Sequence, residues 1–135
     1  MSWSNAGRRR ARGLISSGGR FEPIYGYSRA VRVGAQVHVA GTAARDEALA
    51  GDAYVQTQNV LATIRTALEQ AGARIEDVVR TVIYITDIQD ADLVGRAHSE
   101  VFGNVRPAST MVQVSALIRQ ERLVEIEAYA VTDEP

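Results

Sequence analysis

The sequence predicts an α+β domain: a mixed β-sheet with two helices on one face, in the order β-β-α-β-α-β-β. Three observations carry that expectation. Residues 28–42 alternate apolar and polar side chains on either side of Gly34-Ala35, the pattern of a hairpin. Two longer segments, 53–71 and 91–102, repeat apolar residues at helical spacing. Two more alternating runs, 109–115 and 123–131, close the chain. Strands and helices interleaved in this way bury their apolar sides by laying the helices across one sheet face.

Each element has its own signal. "SRAVRVG" and "QVHVAGT" form the two arms of the hairpin, and residues 42–51 follow as a polar, Ala-rich loop. Asp52 is placed to cap a helix from about Ala53 to Ala71, with Tyr54, Leu61, Ile64, Leu68 and Ala71 on its apolar stripe and Gln56 off it. Gly72 follows as the stop. "VRTVIYIT" reads as a strand from Val79 to Thr86. The second helix runs from Ala91 to Phe102, burying Leu93, Val94, Ala97 and Val101, with His98 at its surface. Pro107 breaks the chain before the last two strands, Ser109–Ser115 and Leu123–Val131.

Composition bounds the chemistry. At 135 residues the chain makes one domain, and 46% hydrophobic with 23% charged residues is a globular balance. No apolar run approaches the ~20 residues of a membrane helix. The start, MSWSNAGRRRARG, is basic but has no apolar segment behind it, so a secretory leader is not expected and a cytoplasmic setting is. Residues 1–20 read as a basic arm and 21–135 as the single domain. The charge is polarised: residues 1–32 carry seven Arg and one acid, net +6, and residues 33–135 carry eight Arg and fifteen acids, net −7. The absence of cysteine excludes disulfides, thiolate nucleophiles and Cys-bound metal. The absence of lysine excludes Schiff-base and pyridoxal-phosphate chemistry. His38 and His98 lack metal-ligand spacing, so neither a metal nor a cofactor is expected. An Arg cluster on an otherwise acidic body argues against a nucleic-acid surface.

Strand parity then divides the sheet into two faces. Val124, Ile126, Ala128 and Ala130 belong under the helices, and so do Thr81, Ile83 and Ile85. In the strand before the last, the apolar set Thr110, Val112 and Val114 is assigned to the helices. That sends Ser109, Met111 and Gln113 to the open face with Glu125, Glu127 and Tyr129. Such a face is too apolar to be simply wet and too polar to be a core. It suits a subunit interface with embedded polar sites, with ordinary solvated acids as the alternative.

"GYSRAVRVGAQVHVAGTA", "VRTVIYITDI" and "RPASTMVQVSAL…LVEIEAYAV" together resemble the Rid (YjgF-like) family of reactive intermediate deaminases, over about residues 22–131. The resemblance implies a chorismate-mutase-like fold, assembly as a homotrimer, and clefts between subunits that take small metabolites such as keto or imino acids. Active members hydrolyse imines and enamines such as 2-aminoacrylate, holding the substrate carboxylate with Arg and moving a proton with a carboxyl group. The resemblance places that acid at Glu125 and a substrate-facing tyrosine at Tyr27. It brings Gly41 and Met111 to positions lining the cleft. The family's Arg falls at Ser109, where this chain reads Pro107-Ala108-Ser109, so deamination of 2-aminoacrylate is in doubt and non-catalytic binding or sensing is the alternative. Arg106, three positions upstream, could curl into the cleft or stand in a rim salt bridge. Parity alone does not separate Glu125 from Glu127.

Overall fold

A computed structural model describes residues 11–135. Six strands form one sheet: β1 (Arg12–Ile15), β2 (Ala30–Val33), β3 (Gln36–Ala43), β4 (Val78–Ile85), β5 (Ala108–Gln113) and β6 (Val124–Val131), in the spatial order β1-β2-β3-β6-β4-β5. Three helices accompany them: α1 (Phe21–Tyr25), α2 (Ala53–Gln70) and α3 (Ala91–Phe102). Neighbouring strands are antiparallel except β4 and β5, which are parallel. A parallel pair needs a crossover, and α3 supplies it.

The expected order is present with two additions, β1 and α1. The basic arm expected over residues 1–20 lies outside the described residues as far as residue 10. Beyond that point the chain is structured, since Arg12–Ile15 pair with β2 as an edge strand. An Arg- and Gly-rich segment can do this because an edge strand needs only backbone partners on one side.

Helices α2 and α3 cover one sheet face. Val37, Val39, Ile83, Ile85, Val124 and Ile126 meet Leu61, Ile64, Leu68 and Phe102 in a continuous core. Asp52 caps α2 as expected, accepting a hydrogen bond from the Val55 N–H at 2.9 Å. Leu61, Ile64, Leu68 and Ala71 are buried as expected, and the α2 stripe departs from the expectation only in its first turn. Gln56 is fully buried, whereas Tyr54 faces outward and donates its hydroxyl to Glu100. Gln56 is tolerated inside because every polar end has a partner. Its Nε2 donates to the carbonyls of Leu49 and Glu121 at 3.2 and 2.9 Å, and its Oε1 accepts from the Leu123 N–H at 2.9 Å.

Arg32 on β2 ties three distant segments together. It donates to the carbonyl of Gly34 in the hairpin turn, to the carbonyl of Ala71 at the end of α2, and to the Thr132 hydroxyl and Glu134 carbonyl after β6. Gly72, with φ +79°, leaves the left-handed turn open beside it. A Cβ there would lie 2.8 Å from the Arg32 guanidinium.

The β5 face assignment is corrected. Thr81 pairs with Ser109 and Ile83 with Met111, so Ser109, Met111 and Gln113 point to the helix side. Thr110 and Val112 lie on the open face, and Val112 is 42% exposed. The phase was set by apolarity, which misleads on an edge strand whose open face is itself partly apolar. The register is fixed instead by the entry turn, where Arg106 adopts the left-handed φ of +57° and its N–H bonds to Phe102 at the end of α3.

Candidate functional site

The open face carries Glu125 and Glu127 side by side on β6, and their environments differ. Both oxygens of Glu127 are engaged: one accepts from the Tyr84 hydroxyl and the other from the Tyr129 hydroxyl, the latter at 2.5 Å. The Tyr84 phenol is pushed up to about 12, first by that hydrogen bond and then by burial and the Glu127 charge. The Tyr129 phenol is raised for the same first reason. Glu127 is therefore fixed as an acceptor, flanking an open bay of about 630 Å³ lined also by Leu14, Tyr27, His38 and Tyr129. Glu125 does not line this bay.

Glu125 is half-buried and has no hydrogen bond or ion pair among the described residues. Burial raises its carboxyl above the usual carboxylate range; the charges of Arg122 and Arg29 oppose that rise, and the charge of Glu127 adds to it. Its carboxylate rests on the backbone of Gly41, where β3 shifts register against β6 between Val39 and Thr42. A Cβ at Gly41 would stand 2.6 Å from Glu125 Oε2, so only glycine leaves this seat free.

Arg29 completes the arrangement. It is buried at the head of β2 and donates to the Gly41 carbonyl at 2.7 Å, to the Thr42 hydroxyl at 2.8 Å and to the Tyr27 hydroxyl at 3.2 Å. Its Nε makes no hydrogen bond but stands 3.8 Å from Glu22 Oε2. Glu22 is buried as well. Burial pushes its carboxyl up, and hydrogen bonds from the Ser17 and Ser16 hydroxyls and the Ser17 and Gly19 N–H groups more than offset this, leaving it lowered. The chain Glu22–Arg29–Tyr27 thus holds Tyr27 and the Gly41 bulge in one unit next to Glu125.

The fold has counterparts among known proteins. The family model described as Endoribonuclease L-PSP matches residues 18–132. The chain belongs to the YjgF/Rid family. It is similar to the YjgF/YER057c/UK114-family protein Rv2704 of Mycobacterium tuberculosis, with a TM-score of 0.85 and 49% identity, covering 90% of this chain and 100% of that one. It is 41% identical over 120 residues to an uncharacterised protein of Streptomyces coelicolor, covering 85% of this chain and 90% of the relative. It is 39% identical over 113 residues to a RutC family protein of Pyrococcus abyssi, covering 81% and 88%.

Of the positions that the YjgF/Rid resemblance singles out, the fold brings together three: Arg29 bonds both Tyr27 and Gly41, and Glu125 rests on Gly41. Ser109 lies on the other sheet face, where its hydroxyl accepts from Thr81 at 2.8 Å while Thr81 also bonds to His98 Nε2 at 2.9 Å. His98 is accordingly half-buried and not fully at the surface, and burial lowers its pKa. Met111 packs against the core. Arg106 is exposed at the turn into β5 and its side chain bonds to nothing among the described residues. Sequence reasoning missed Arg29, Gln56 and Arg122. The spacing Gln56–Val60–Ile64 marked Gln56 as inward-facing. Nothing in "YSRAV" or "IRQERL" marks which arginine is buried.

The described residues hold no cluster of His, Asp and Glu suited to a metal ion. None of their helices is long and apolar enough to cross a membrane.

Proposed function

We propose that this chain is a hydrolase of small imines or enamines, with Glu125 as the proton-transfer group in a cleft completed by a homotrimer in the cytoplasm. The observation that carries this reading is the state of Glu125: half-buried, unpartnered, raised in pKa and seated on a glycine beside Tyr27. A carboxyl group tuned upward and left without a structural partner suits general acid–base chemistry. In the reaction, a water oxygen bonds to the carbon of the C=N group while Glu125 takes a water proton. Glu125 then returns that proton to the nitrogen, giving a carbinolamine; it next takes the hydroxyl proton and passes it to the same nitrogen, so that the carbonyl forms as the C–N bond breaks and ammonia leaves. Glu127 accepts a hydrogen bond from a tyrosine at each oxygen, which holds it in a structural role and makes it the weaker candidate for that task.

The trimer reading rests on the open face, where Val112, Tyr129 and Val131 present apolar surface among polar groups. Light scattering that gives a monomer mass at micromolar concentration overturns it. Because Ser109 stands where the family resemblance expects Arg, turnover of 2-aminoacrylate or 2-iminobutyrate is expected to be weak. The deciding experiment compares Glu125→Gln with Glu127→Gln on an imine panel, after both are confirmed to keep the parent assembly. Loss of turnover in Glu125→Gln alone supports the assignment, and unchanged turnover there refutes it. Binding without turnover is the second reading, and the Ser109 substitution is the observation that favours it. An RNA-directed activity has only the Arg cluster in its favour, against a net charge of −7 over residues 33–135.

A further inference from the structure

Beside Glu125 stands a guanidinium that has no partner. Arg122 ends the loop leading into β6, and its Nε is buried with no hydrogen-bond acceptor among the described residues. It forms none of the ion pairs present among them. The groups that act on its charge are Arg119, Glu125, Asp46 and Tyr27. Asp46 is already taken by Arg119 at 2.7 Å. The remaining counter-charge is Glu125, and it too is unpaired. An acid and a guanidinium, both half-buried and within electrostatic reach, thus stand without closing on each other.

The arginine does not hang on a loose loop. The buried Gln56 accepts from the N–H of Leu123 and donates to the carbonyl of Glu121, which fixes the backbone on either side of Arg122. A half-buried guanidinium whose Nε is shut away from water without an acceptor is costly to keep, unless something supplies one. Its planar fork matches a carboxylate, with two parallel N–H···O bonds. Glu125 and Asp46 nearby disfavour a dianion.

We propose that Arg122 is the anion-binding residue of the Glu125 site, taking the carboxylate of a small monoanionic oxo or imino acid whose reacting group faces Glu125. The proposal rests on the reading of this site as a small-molecule cleft and adds the residue that selects the ligand. The charged end of the ligand is read from the loop before β6, not from β5, where Ser109 is bonded to Thr81.

The test is calorimetric titration of the full chain with 2-oxobutanoate and with its neutral amide, 2-oxobutanamide. Wild type is expected to bind the acid in preference to the amide. Arg122→Gln is expected to weaken acid binding by about tenfold or more, the loss of a charge-assisted pair, and to leave amide binding unchanged. Arg122→Lys should recover part of the loss, and Arg74→Gln, at an exposed pair with Asp77, should bind as wild type does. The folding control is thermal: Arg122→Gln should melt no lower than wild type without ligand, and should lose the rise that 2-oxobutanoate gives wild type. Equal binding of acid and amide, acid binding undiminished in Arg122→Gln, or no saturable acid binding at millimolar concentration overturns the proposal. Binding is read without turnover, so Glu125→Gln separates the two readings. If Glu125→Gln turns over normally while Arg122→Gln loses the acid, the proton-transfer role fails and the anion site stands.

Discussion

Gly41→Ala should disarm the candidate site without unfolding the protein. The new Cβ would lie 2.6 Å from Oε2, 3.0 Å from Cδ and 3.3 Å from Cγ of Glu125. Carbon contacts settle near ~3.5–4.0 Å, so the carboxylate must swing away by roughly 1 Å. Forcing a side chain off its rotamer by that much costs about 0.5–1.5 kcal/mol. Gly41 has no left-handed φ, so alanine meets no backbone penalty and stiffens the unfolded chain by about 0.4–1 kcal/mol. The two effects nearly cancel, and the net stability change should stay within about 1 kcal/mol of zero. The pKa of Glu125, however, should fall, because burial is the main cause of its rise and the displaced carboxylate moves toward water.

The sign of the pH dependence follows from that rise. A carboxyl whose folded pKa is raised stays protonated in the fold after the unfolded chain has lost its proton near 4.5. Stability from this group is therefore lost as pH climbs from that value to the raised one. Gly41→Ala should narrow this window. The checks are carbon-13 titration of the Glu125 carboxyl and urea melts on both sides of the window. An unchanged Glu125 titration refutes the reasoning, and so does a loss of more than about 3 kcal/mol, which would mean that the backbone at the bulge had given way.

Two further outcomes are expected. Gln56→Leu should cost about 3 kcal/mol in urea denaturation, because the Leu49 and Glu121 carbonyls and the Leu123 N–H lose their partner inside the fold; a loss under about 1 kcal/mol would show that the 115–123 loop is not held this way. Glu127→Gln should bring the Tyr84 phenol down from about 12 toward the ordinary 10.0, read as phenolate absorbance against pH, since the carboxylate charge that holds its proton is gone.

The helices, the hairpin and the inward face of β6 were legible because burial on one side imposes a period on the sequence, and the Ala91–Phe102 helix ends where its apolar stripe ends. β1 was not legible: "RGLI" pairs along one edge and needs no pattern. The phase of β5 was misread for a related reason, since Val112 sits on the open face and Met111 on the buried one. At the site, family resemblance supplied Glu125, Tyr27 and Gly41. The distinction between Glu125 and Glu127 depends on which of the two acids the Tyr84 hydroxyl of β4 and the Tyr129 hydroxyl of β6 choose, which strand parity cannot express. The burial of Arg29 and Arg122 is equally hidden, because fifteen arginines and no lysine give every basic position the same chemistry on paper.

Arg32 gives the fold an order of completion. The hairpin turn and the end of α2 are local structures that form from neighbouring residues, but the guanidinium joining them also needs Thr132 and Glu134, a hundred residues later in the chain. Until β6 is laid beside β3, the carbonyls of Gly34 and Ala71 share a cation with no fixed far anchor. Closing that anchor converts three separately fraying ends into one cooperative unit, so local opening at any of them should report on the other two. Hydrogen exchange at the α2 terminus is then a gauge of whether the last strand is in place.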